Sequence, residues 1–205
     1  YREQRWEEAR QVARSARELD PFDPFITSYW IWSLWASGEH SLSLEEARKA
    51  AEVWPERPFT HYWAGLGLLW NVGAEKAIAE FEAAIQLGGR MTFFLGLLAG
   101  ALAVAGRKEE ARAVLKELKE RSERGVVLSR WIAAVHAALE EDDEAMEWLE
   151  RAVEEHDPTL FHTLTDPFFQ AYREDPRFVA VMDRIGLTPM ALPGPPFGAG
   201  AGGGP

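Results

Sequence analysis

The spacing of five alanines constrains the fold of this chain more than any other feature. Ala9, Ala47, Ala77, Ala111 and Ala145 each hold the third position of a short tetrad, EEAR, EEAR, EKAI, EEAR and DEAM, with successive separations of 38, 30, 34 and 34 residues. Self-similarity at such a period is the mark of an array of small units, each of which buries its apolar face only against its neighbours. Between two of these alanines the pattern within one unit is plain. MTFFLGLLAGALAVAG, 91–106, carries no charge until the turn at Gly106-Arg107, and KEEARAVLKELKERSERG, 108–125, follows it. In the second stretch Ala111, Val114, Leu115 and Leu118 fall at i, i+3, i+4 and i+7, while Glu109, Glu110, Arg112, Lys116, Glu117 and Lys119 take the other side. That is a buried helix followed by a half-wetted one.

Small and large apolar residues keep the same register. Gly65, Ala99 and Ala133 stand twelve residues before three of the alanines, where two helices must approach closely; Phe81, Leu115 and Leu149 stand four after, and Ala16, Ala84 and Ala152 seven after. Two helices per unit of about 34 residues resembles the tetratricopeptide repeat. The family's aromatic at the start of the first helix is replaced by His61, Leu95 and Ser129, so the repeats are degenerate. The resemblance implies an all-α, tetratricopeptide-like superhelix of antiparallel helix pairs. It would comprise about four and a half repeats plus a terminal cap over 1–187, followed by a flexible Pro/Gly-rich tail at 188–205.

About 60 residues, 127–187, carry a more specific resemblance. RWIAAVHAAL, EAMEWLERAVEEHDP, DPFF, DPRF and IGL, all within 127–187, are similar to the last repeat and cap of tetratricopeptide regions at the C-termini of bacterial winged-helix regulators, serine/threonine kinases and adenylate cyclases. Tyr172-Arg173 stands where that family has Leu-Arg, a change of packing. The resemblance implies a cytoplasmic regulatory region, with catalysis or DNA binding done by a domain outside this sequence. The start at Tyr1, directly on the second helix of a repeat, reads the same way.

Local punctuation marks the elements. Asp23-Pro24, Asp166-Pro167 and Asp175-Pro176 read as N-caps followed by proline in the first turn. Ser43 and Glu46 form an S-x-x-E capping box that predicts a helix start there. Pro55 and Pro58 end that helix early and account for the short separation of 30, and 159–164 reads as apolar and partly extended.

Composition narrows function mainly by exclusion. A net charge of −11, with Lys and Arg interleaved with Glu along helix faces, argues against nucleic acid. There is no cysteine, and the uncharged helical run 91–106 is shorter than the ~20 residues a membrane-spanning helix needs. The five histidines show no HExxH and no i, i+4 pair; His136 reads as a hydrogen-bonded core residue and His61 as the one best placed beside a ligand. His156 and His162 flank Asp157, but Asp157-Pro158 is explained as a helix stop. With no nucleophile motif and no phosphate loop, a non-catalytic module without cofactor is expected.

Projection from the aligned alanines puts Tyr29, Trp32, Phe59, Tyr62, Leu66, Trp70, Phe93 and Arg130 on the concave side of such an array, an aromatic groove with one cation. An apolar or aromatic peptide, or a partner domain, is the ligand this groove predicts. Two other readings stand beside it: a homodimer contact through the aromatic helix around Tyr29–Trp35, and a small-molecule pocket among Trp32, Tyr62 and Trp70. Packing of the same rings into the core is the plain alternative. The tail reads as a linker, and secondarily as a docking peptide around Phe197.

Overall fold

The computed structural model describes residues 6–125 and 127–187. Those residues form ten α-helices and two short 3-10 helices, with no strand among them, so the chain is all-α. They divide after residue 90 into two compact units. The first holds α1 (Trp6–Leu19), α2 (Pro24–Ala36), α3 (His40–Val53), α4 (Pro58–Asn71) and α5 (Ala74–Gly88). The second holds α6 (Thr92–Val104), α7 (Lys108–Ser122), α8 (Ser129–Ala138), α9 (Asp142–Glu154), 3-10 helices at Leu160–Leu164 and Pro167–Tyr172, and α10 (Pro176–Arg184).

In the first unit each helix packs on the next, and α2 also touches α4. Links of only a few residues join α2 to α3 and α3 to α4, and such short links return the chain antiparallel. Two reversals leave α2 and α4 running the same way, side by side over α3. The repeated alanines explain the close packing. Ala47 and Ala77 are fully buried, and in the second unit so are Ala111 and Ala145. Ile31, Ala47, Ala50 and Ala64 form one cluster across α2, α3 and α4, with Trp54 and Trp63 against it. Ala9, at the same repeat position in α1, is exposed.

The second unit repeats this logic with an added end. α6 packs on α7 and α8, α8 on α9, and α9 on α10. The 3-10 helix Pro167–Tyr172 lies on α8 and sends Phe168 against Gly100 of α6, where a Cβ would run into the ring. Phe168, Phe169, Phe178 and Met182 are buried, so this terminal segment covers an apolar face of its own unit.

Caps and stops follow sequence rules in most places. Asp23 accepts from the N–H groups of Phe25 (2.7 Å) and Ile26 (2.9 Å), Asp166 from Phe168 (3.0 Å), and Asp175 from Arg177 (2.8 Å). α6 ends with Gly106 at φ 80°, where Arg107 N–H reaches back to Leu102 O at 2.9 Å, a Schellman closure. α8 and α9 end with the same closure on non-glycine residues, Glu140 (φ 63°) and His156 (φ 54°).

Two local expectations fail. Ser43 and Glu46 are not a capping box: α3 already starts at His40, and both residues are inside it and buried. The Ser43 hydroxyl donates to Ile31 O at 3.1 Å, and Glu46 accepts from Lys49 at 3.0 Å and from Arg17 of α1. Burial alone would raise the Glu46 carboxyl, but the hydrogen bonds from Lys49 and Arg17 outweigh it and hold it below its ordinary value. The stretch expected to be partly extended is the 3-10 helix Leu160–Leu164.

Candidate functional site

The surface of the first unit that stands out is made by α2 and α4. PFITSYWIWSLWA has no ionisable group other than Tyr29, and PFTHYWAGLGLLWN has only His61 and Tyr62. On α2 the inward side is filled by Trp30, Ile31, Leu34 and Trp35, which leaves Phe25 and Tyr29, one turn apart, facing water at 68% and 52% exposure. Their rings meet edge to face at 4.8 Å. On α4 Phe59 is 46% exposed, its ring 6.1 Å from half-buried Tyr62, which in turn contacts half-buried Trp63 at 4.9 Å. Because α2 and α4 are neighbours running the same way, the aromatic first turns of both lie at the same end of the pair.

The sequence-predicted groove residues separate into three environments. Tyr29 of α2 and Phe59 of α4 are exposed, and Trp32 and Tyr62, one turn beyond each, are half-buried. Leu66 is buried within α4, and Trp70 is held in a cluster with Trp35 (5.3 Å) and His40 (4.2 Å). Phe93 and Arg130 belong to the second unit. Phe93 is half-buried and packs on Phe94 at 4.4 Å.

Arg130 differs most from its expected place. It is 1% exposed and therefore no surface cation. Its guanidinium donates to Asp166 Oδ2 at 2.7 Å and lies 4.0 Å from the Trp131 ring centroid, and its backbone N–H donates to Asp157 Oδ2 at 3.1 Å. A buried guanidinium needs such a partner, so the side chain turns inward to the terminal segment. Asp157 also accepts from the Thr159 N–H and hydroxyl, which gives it more than the helix-stop role its Asp-Pro sequence suggests.

His61 is likewise committed to structure. Its Nδ1 is 2.8 Å from Glu80 Oε2 of α5 and its Nε2 is 2.8 Å from Pro55 O, so the ring ties α4 to α5 and to the link that precedes α4. His136 is buried with Nδ1 2.7 Å from Glu141 Oε2, and its pKa is lowered, chiefly by burial. Among the described residues no group of three or more His, Asp or Glu is placed to hold a metal ion, and no helix is long and apolar enough to cross a membrane.

A shallow cleft of about 290 Å³ lies elsewhere on the first unit, lined by Ser41, Leu44, Glu45, Arg48, Lys49, Glu52 and Asn71. Its charges compensate one another, since Lys49 bridges Glu45 at 2.7 Å and Glu46 at 3.0 Å. Phe25 is the site residue missed in the sequence. Its signal was present, because it precedes Tyr29 by four residues and so shares its side of the helix.

Comparison with protein-family models, with curated proteins and with solved structures gives no match for the chain.

Proposed function

We propose that this chain is a non-catalytic interaction module of tetratricopeptide type, the regulatory region of a bacterial signalling or transcription-regulating protein acting in the cytoplasm. An apolar or aromatic segment of a partner would dock on the α2/α4 face. One observation carries the proposal: Phe25, Tyr29 and Phe59 are largely exposed on two neighbouring helices that bear almost no charge. Clustered large aromatics are costly to leave in water and bind strongly when covered, each ring burying ~150–250 Å². The fully buried alanines at a period near 34 and the consecutively packed helices support the repeat assignment.

Selection of random displayed peptides on the full chain, and on a Tyr29→Glu/Phe59→Glu variant, tests the reading. An aromatic or apolar consensus recovered only by the unaltered chain supports it. No enrichment, or the same peptides from both proteins, would overturn it. Self-association through the same face is the second reading, favoured by the exposure of Phe22 (77%) next to Phe25. A concentration-dependent mass in light scattering that disappears with Tyr29→Glu would establish it.

A further inference from the structure

We infer that α1 is a displaceable strap, and that the groove beneath it on α2 and α3 is a binding site for an arginine-bearing amphipathic helix of a partner. The inference concerns the contact of α1 with α2 and α3 and does not rest on the aromatic docking face.

The first reason is how little apolar surface holds α1 down. Among residues 7–19 only Ala13 is buried, in a cluster with Trp30 and Leu34 of α2. Val12 and Leu19 are 70% and 88% exposed. α5, a helix of similar length, buries Ala77, Ile78, Phe81 and Ala84. One methyl group cannot anchor a 14-residue helix that is marginal by itself in water. Residues 20–23, which link α1 to α2, are a short hinge on which α1 can swing.

Arginines hold it instead. Arg10, Ala13, Arg14 and Arg17 fall at i, i+3, i+4 and i+7, so they share one side of α1. Arg10 donates to Glu39 Oε1 at 3.0 Å in the link after α2, and Arg17 donates to Glu46 of α3. The guanidinium groups of Arg14 and Arg17 lie 5.7 and 5.9 Å from the centroid of the Trp30 ring. Two further charges meet this contact: Glu7, which accepts a second hydrogen bond from Arg10, and Lys49, which shares Glu46 with Arg17. Pairs of this kind, open to water along one side, weaken with salt. The fit is also incomplete, since Arg10 Nε and the Trp30 indole nitrogen are buried with no acceptor. A segment held in this way belongs to the least stable part of a fold and opens before the rest.

What α1 covers defines the ligand. Lifting it uncovers the side of Trp30 and Leu34 that packs on Ala13, flanked by the carboxylates of Glu39 and Glu46. Lys49 holds Glu46 Oε1, which leaves Oε2 for an incoming guanidinium. Two carboxylates beside an indole face select arginine, whose planar cation both pairs with carboxylates and stacks on aromatic rings. A small side chain fits the place of Ala13, and the net charge of −11 draws a basic partner. A partner helix with Arg at i, i+4 and i+7 and a small residue at i+3 would therefore compete with α1 for the same place.

Hydrogen exchange of the full chain, followed by mass spectrometry, tests this. The probe is a synthetic peptide of residues 6–20 carrying Val12→Leu, a change at an exposed position that separates its fragments by mass from those of the chain. Between about 50 and about 500 mM NaCl the amides of α1 are expected to exchange at least about fivefold faster, while those of α4 and α5 keep their rates. At the lower salt, excess peptide is expected to speed exchange in the chain's own α1 about tenfold, because the peptide takes its place. The same peptide with Arg10→Gln, Arg14→Gln and Arg17→Gln is expected to have no effect. An α1 indifferent to salt and to the peptide overturns the inference. Acceleration by salt with no response to the peptide also overturns it, since the strap would then cover no site. Equal displacement by the two peptides would remove arginine as the recognised group and overturn it as well.

Discussion

Gly65 of α4 lies so close to Phe81 of α5 that a Cβ on Gly65 would sit 2.6 Å from the ring. Phe81 is fully buried and has no room to withdraw. Alanine would ordinarily favour a helix interior by up to ~1 kcal/mol over glycine, but overpacking a rigid core costs about 1–3 kcal/mol. Gly65→Ala is therefore expected to destabilise the protein by about 1–2 kcal/mol in urea unfolding, with Phe81→Leu in the same background recovering part of the loss. A neutral or stabilising Gly65→Ala would contradict the close approach of the two helices.

The Arg130–Asp166 pair makes an opposite kind of demand, because both partners are buried. Removing one charge strands the other, so Asp166→Ala should cost about 3–5 kcal/mol, including the lost cap on Phe168 N–H. The double variant Arg130→Met/Asp166→Asn removes both charges, keeps a capping oxygen, and should lose less than Asp166→Ala alone. Chemical denaturation of the three proteins gives the ordering.

Glu140 and His156 occupy left-handed backbone at the ends of α8 and α9, a conformation that glycine adopts without the Cβ penalty. His156→Gly is expected to raise stability by about 0.5–1 kcal/mol, the relief of strain exceeding the added freedom of the unfolded chain. Glu140→Gly should gain less, since it also gives up the exposed pair with Lys108 at 3.1 Å. Thermal unfolding midpoints of the two variants test both statements.

His162 links stability to pH. Burial first, and the Arg130 charge second, push its pKa down from 6.5 to about 3. Above pH 6.5 the ring is neutral in both folded and unfolded chains and contributes no pH dependence. As pH falls from 6.5 towards 3, only the unfolded chain takes up this proton, so stability declines over that window by up to ~1.4 kcal/mol per pH unit. His162→Gln should flatten the stability profile between pH 6 and 4, measured by urea unfolding at each pH. An unchanged slope would show that His162 titrates normally in the folded protein.

The sequence is most informative where one residue type answers one local constraint. The alanine register found the helix contacts at Ala47, Ala77, Ala111 and Ala145, and the Asp-Pro pairs found the caps at Asp23, Asp166 and Asp175. It is least informative where the decision belongs to a neighbour distant in sequence. Ser43 and Glu46 have the spacing of a cap, yet Ile31 and Arg17 claim them from other helices. Arg130 has the position of a groove cation, yet Asp166, 36 residues later, draws it inward. Helical periodicity names the residues that share a side; it does not say what covers that side. Tyr29 and Phe59 are left about half exposed, at 52% and 46%, whereas neighbouring side chains cover Leu66 and Trp70.

The central claim is that the α2/α4 face buries an apolar segment. The most direct test is titration calorimetry of a display-selected peptide into the full chain and into Tyr29→Glu/Phe59→Glu at several temperatures. Burial of aromatic surface predicts a negative heat-capacity change for the unaltered chain and an affinity at least about tenfold weaker for the variant. Equal affinity for both proteins, or a heat-capacity change near zero, would contradict the account.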